Sequence, residues 1–87
     1  MELEYDHAKS AANFEKHGVG FEDAQAIWLD PNFVVIPAKT LDEPRFLAIG
    51  RITDRCWTAV FTLRDDRIRL ISARRSRDTE VAVYEGA

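Results

Sequence analysis

Hydrophobic and polar positions along the chain change period once, near Pro31, and that change divides it into a helical first third and a stranded remainder. Residues 2–5 form a short apolar–acidic stretch suited to an edge strand, and Asp6 is placed to cap a helix, its carboxylate accepting from free first-turn amides. From His7 to His17, Ala8, Ala11, Ala12 and Phe14 make a loose apolar stripe. Lys9, Asn13, Lys16 and His17 fall on neighbouring positions of the other side. Gly18 is the natural left-handed stop. Gly20 opens a second helix with Glu22 and Asp23 in its first turn and Phe21, Ala24, Ile27 and Trp28 at helical spacing, ended by Asp30-Pro31.

Beyond Pro31 the reading is of strands. Phe33 to Ile36 is a short apolar strand closed by Pro37, and residues 38–43 form a polar connection. Arg45–Ile52 and Arg55–Arg64 are joined at Thr53-Asp54, and a further strand runs from Arg67 to about Arg74 after the Asp65-Asp66 turn. Such short turns imply an antiparallel meander. Alternation puts Trp57, Ala59, Phe61 and Leu63 on one face, and Ile68, Leu70, Ser72 and Arg74 opposite Arg67, Arg69, Ile71, Ala73 and Arg75. A final helix spans about Arg77 to Glu85. The expected fold is α+β: two N-terminal helices packed on a roughly four-stranded antiparallel sheet, with a short C-terminal helix, in a single domain over residues 1–87.

Composition narrows the functional classes. A chain of 87 residues buries about 60–65% of its unfolded surface, enough for one core. No apolar run approaches the roughly 18 residues of a membrane span, and Met1-Glu2-Leu3-Glu4 lacks the basic and apolar regions of a signal peptide. Cys56 is the only cysteine, so no internal disulfide forms, and a cytoplasmic location is expected. His7 and His17 stand ten apart without a cysteine pair, and neither a phosphate-cradling glycine loop nor a nucleophile elbow occurs. No cofactor is therefore expected.

Charge is the remaining signal. Six of the twelve basic residues, all arginine, lie between Arg64 and Arg77 against two acids, a local +4 on a chain of net −3. Arginine offers a planar fork of donors matched to phosphate. RNA cleavage needs only a base for the 2′-hydroxyl, cations for the developing charge and an acid for the leaving oxygen. Lys16-His17 brought against Arg64 and Arg74 would supply those parts. On spacing alone, the arginine stripe also fits a solvated strand face that prevents edge pairing, and His17 a helix C-terminal residue.

The segment Asp6-His7-Ala8-Lys9-Ser10-Ala11-Ala12-Asn13-Phe14-Glu15-Lys16-His17-Gly18-Val19-Gly20-Phe21-Glu22-Asp23-Ala24 resembles the signature of the BrnT family of bacterial type II toxins. Asp30-Pro31, the 45–51 strand, Arg69-Leu70-Ile71-Ser72-Ala73-Arg74-Arg75, Glu80 and Tyr84-Glu85 follow in the family's order. The resemblance implies a RelE-like, cofactor-independent endoribonuclease that arrests translation and growth. It also implies a hetero-oligomer with a ribbon-helix-helix, BrnA-like antitoxin, and contact with operator DNA only through that antitoxin. On this reading Lys16, His17, Arg64 and Arg74 are the catalytic candidates. Arg51, Arg67, Arg69, Arg75, Arg77 and Tyr84 are the RNA and phosphate ligands. The pI near 5.3 motivates an alternative: an inactive relative that binds an antitoxin or nucleic acid without cutting.

Overall fold

The computed structural model describes residues 2–39 and 43–86. One full helix, α1 (His7–His17), follows a two-residue strand β1 (Leu3–Glu4). Asp6 caps α1 by accepting from the amides of Ala8 and Lys9 at 2.8 and 3.1 Å, and Gly18 closes it at φ 80°. The second expected helix is only a four-residue turn, α2 (Phe21–Ala24), which tightens into a 3-10 turn over Gln25–Leu29. Strands β2 (Val34–Ala38), β3 (Arg45–Ile52), β4 (Arg55–Arg64) and β5 (Arg67–Arg75) precede the closing helix α3 (Asp78–Gly86). Of the connection expected over 38–43, Ala38 belongs to β2 and residues 40–42 lie outside the described residues.

The sheet has five strands in the order β1-β5-β4-β3-β2, and it is mixed. β2 to β5 form the expected antiparallel meander, whereas β1 adds parallel to β5, pairing Leu3 with Ile68. The expectation of two helices on four antiparallel strands is thus corrected on both counts. A two-residue strand joined to its neighbour through the whole chain leaves no periodic signal, and α2 is too short to propagate.

Between Val60↔Ser72 and Phe61↔Leu70 the β4–β5 register skips Ile71, a bulge. One extra residue inverts the alternation beyond it. Ala73 and Arg75 therefore join Ile68 and Leu70 on the face covered by the N-terminal elements, and Ser72 and Arg74 turn to the other. This reverses the faces expected for residues 72–75. The core lies on the first face, where Val19, Phe21, Ala24 and Ile27 meet Ala48, Ala59, Phe61, Ile68, Leu70 and Ala73. Gly50 admits the 3-10 turn: a Cβ there would lie 3.0 Å from both the Cγ2 and the carbonyl oxygen of Ile27.

α1 packs the reverse way from its stripe. Ala8, Ala11, Ala12 and Phe14 are exposed, and Asn13 is its one buried residue. The helix flanks the edge of β5 beyond the short β1, where backbone groups rather than apolar side chains need partners. The Asn13 amide supplies them at Ala73, and the Ser10 hydroxyl accepts from the Phe21 amide at 2.8 Å. Among the described residues no helix is long and apolar enough to cross a membrane.

Candidate functional site

Thr58 of β4 faces Arg74 of β5 on the sheet side opposite the core, and α3 reaches this row through Glu80. The Arg74 guanidinium donates from Nη1 to Oε1 at 2.7 Å and from Nη2 to Oε2 at 2.8 Å. Oε1 also accepts from the Arg77 amide at 2.8 Å and from the Thr58 hydroxyl at 3.0 Å. The Arg77 contact is the N3-to-N-cap half of a capping box, which accounts for where α3 begins. The Arg74 fork, with help from the Arg77 amide and Thr58, holds the buried Glu80 carboxyl down at about 2 despite burial, and Glu80 in turn raises the pKa of Arg74. Arg74, expected as a catalytic cation, is thus committed to an internal partner.

The other end of α3 is fastened by Tyr84. Its hydroxyl donates to Asp30 Oδ2 at 2.6 Å, and the same carboxylate accepts from the amides of Arg51 and Asn32 at 2.7 and 2.9 Å. These bonds, Tyr84's foremost, hold the Asp30 pKa low, while Tyr84's is raised by donating to it. Tyr84, expected as an RNA ligand, spends its hydroxyl on the connection ahead of β2.

The expected cationic cluster is split between two ends of the sheet. Arg64 pairs with Arg67 across the β4–β5 turn and Thr62 with Arg69, and Arg64, Arg67 and Arg69 line a cleft of about 330 Å³ with Glu4 and Asp65. Arg67 is exposed and 3.6 Å from Glu2. Arg74 pairs with Thr58, six residues back along β4 from Arg64. At about 3.3 Å per residue the two rows are roughly 20 Å apart. α1 runs from the neighbourhood of Arg69, whose charge reaches Asp6, to Ala73, bound by Asn13. Lys16 and His17, one turn further on, therefore sit toward the Arg74–Arg75 end. The structure does not bring Arg64 to Lys16, His17 and Arg74, and no single phosphodiester can touch all four.

At that second end the strand termini, the Thr53-Asp54 turn and the start of α3 enclose a cleft of about 290 Å³. Arg51, Arg55 and Arg75 line it beside Ser76, with the carboxylates of Asp54, Asp78 and Glu85. All three arginines are exposed, and among the described residues none forms a salt bridge. Arg51 lies on the α3 face with Cys56, whereas Arg55 and Arg75 alternate to the other face beside Trp57, so basic residues reach this end of the sheet from both faces, an arrangement able to take an anion. Arg77 is exposed just beyond, with its backbone amide turned to Glu80. Sequence reasoning missed Arg55, which lies outside the 64–77 run. The signal was the two-residue turn at Thr53-Asp54, which sets Ile52 against Arg55 and places Arg55 on the same face as Trp57, the partner of Arg75. Among the described residues no three His, Cys, Asp or Glu side chains are grouped so as to hold a metal ion.

No curated protein matches the chain. Residues 5–80 match the model of a family described as the ribonuclease toxin, BrnT, of type II toxin–antitoxin systems. That span takes in α1, the whole sheet from β2 to β5, and Arg74 together with Glu80, so the chain belongs to the BrnT family of ribonuclease toxins.

Proposed function

We propose that this chain is an endoribonuclease toxin that cuts RNA without a metal or other cofactor, and that the scissile phosphate lies in the cleft of Arg51, Arg55 and Arg75. The observation that supports this reading is that Arg51, Arg55 and Arg75, all exposed, line one cleft at this end of the sheet and form no salt bridge among the described residues. In the reaction, the 2′-oxygen bonds to phosphorus as the bond from phosphorus to the 5′-oxygen breaks. The proton of the 2′-hydroxyl passes to a base, and an acid returns one to the leaving oxygen. Asp54 is the base, because of the three acidic residues lining the cleft it alone lies in the β3–β4 turn rather than on α3. The arginines stabilise the charge gathering on the phosphoryl oxygens. Lys16 and His17 serve as acid or as further cations for the strand. Arg64, Arg67 and Arg69, about 20 Å away by register, hold flanking nucleotides, and Arg77 extends the grip.

A protein antitoxin follows from the family. We assign it the ribbon-helix-helix, BrnA-like type, in a cytoplasmic hetero-oligomer that reaches operator DNA only through the antitoxin. A second reading, a relative that binds without cutting, is favoured by one observation: Arg74 is already neutralised by Glu80.

Induced expression in a bacterial host tests the choice. The wild type is expected to stop growth, Arg51→Ala with Arg75→Ala to restore it while the protein stays folded, and Arg64→Ala with Arg67→Ala to weaken arrest only in part. Growth arrest undiminished by the first pair removes the proposed site. Purified protein that retains RNA at low salt and yields no fragments establishes the binding module instead.

A further inference from the structure

The contacts around Glu80 describe an anion site. Two guanidinium nitrogens, one backbone amide and one hydroxyl converge on its carboxylate within 2.7–3.0 Å. A second hydroxyl, Ser76 Oγ, stands 2.8 Å from Thr58 Oγ1. Thr58 is fully buried on β4 and Arg74 lies on β5, so the side chains of the cradle are set by the sheet and by the segment leaving it rather than by α3. A planar fork with flanking N–H and O–H donors fits a phosphate group as well as it fits a carboxylate.

The helix that supplies the anion is weakly held. Glu80 is its one buried residue, while Asp78, Thr79, Ala82, Val83 and Glu85 are exposed. Nine residues are too few to stay helical alone. α3 is therefore kept in place by a carboxylate in a cradle and by the Tyr84–Asp30 hydrogen bond, with little apolar burial, and such elements open at low free energy. Ser76 also lines the cleft of Arg51, Arg55 and Arg75, so the cradle and the cleft adjoin.

We propose that the Arg74–Thr58–Ser76 cradle is a second phosphate subsite, which Glu80 fills while RNA is absent and surrenders when a strand phosphate displaces α3. The inference takes its ligand from the ribonuclease reading. Its geometry returns Arg74 to a role on RNA that the resting structure denies it.

Hydrogen–deuterium exchange on the full chain tests this, with residues 78–86 followed in chloride, in inorganic phosphate and with a short oligoribonucleotide at matched ionic strength. Exchange in α3 is expected to rise at least about tenfold with the oligoribonucleotide, and also with phosphate at high concentration. Glu80→Gln, which keeps the shape and removes the charge, is expected to bind phosphate at least about tenfold more tightly than the wild type, since it frees the cradle from a tethered competitor. Tyr84→Phe loosens α3 without touching the cradle and is expected to shift phosphate binding the same way, so a poorly folding Glu80→Gln leaves the question answerable. Unchanged or stronger protection of α3 under both ligands overturns the proposal. A response to phosphate alone makes the cradle a site for small phosphates and overturns its role on RNA. RNA cleavage with α3 still protected removes the subsite and leaves the ribonuclease reading standing. An α3 that opens in a protein that cuts no RNA does the reverse.

Discussion

The side chain of Asn13 behaves as a one-residue strand toward Ala73. Its Nδ2 donates to the Ala73 carbonyl at 2.8 Å and its Oδ1 accepts from the Ala73 amide at 3.2 Å, across sixty positions of sequence. Nδ2 also donates to the Val19 carbonyl at 2.7 Å, which ties the turn after α1 to the sheet. Asn13→Asp keeps the acceptor and loses both donations, and it sets a carboxylate against two buried carbonyls. About 3 kcal/mol of destabilisation is expected, read from urea unfolding. Asn13→Leu leaves the same backbone groups unpaired and is expected to cost a similar amount, because apolarity here does not substitute for hydrogen bonding.

Gly50 is required by close packing. In Gly50→Ala the new methyl meets Ile27 Cγ2 and the Ile27 carbonyl oxygen at 3.0 Å and Phe33 Cβ at 3.2 Å. One of those atoms is backbone and cannot swing aside, so the 3-10 turn must lift from β3. A loss of about 1–3 kcal/mol is expected, with Trp28 fluorescence reporting the displaced turn.

Acid acts on the Arg74–Glu80 pair. The Glu80 pKa falls from its ordinary 4.5 to about 2 in the folded chain. The unfolded state therefore binds a proton first as pH drops. The pair's stabilisation is complete above about 4.5 and is lost as pH falls toward 2, amounting to about 3 kcal/mol at neutrality. Unfolding free energies measured between pH 6 and 2 are expected to fall more steeply in the wild type than in Glu80→Gln, whose remaining slope comes from Asp30 and Asp6, both also held low in the folded chain.

The β4–β5 hairpin closes on Asp65 and Asp66, both left-handed at φ 52° and 64°. Two positive φ angles in a two-residue loop suit glycine at the second position. Asp66→Gly is expected to stabilise the chain by about 0.5–1 kcal/mol, visible as a higher melting temperature.

The bounds of α1, β3 and β4 were legible because each ends on a local signal: an aspartate cap, a left-handed glycine, or a two-residue turn. The closing helix was also legible, to within a residue at each end. Contacts distant in sequence were not. The parallel pairing of β1 with β5, the bulge at Ile71 and the inward-facing Asn13 arise from tertiary demands that leave no period in the residues concerned. The arginine run was plain, but its division between two ends of the sheet was not. That division depends on strand register and on Glu80 reaching back six residues to Arg74.

The most direct test is cleavage of a defined RNA by purified protein in excess chelator, comparing the wild type with the Arg51→Ala/Arg55→Ala/Arg75→Ala variant. The wild type is predicted to produce new fragments without added metal. The triple variant is predicted to cut at least about a hundredfold more slowly while keeping its fold by circular dichroism. Equal rates for the two proteins, or cutting that stops when metal is withdrawn, would contradict the account.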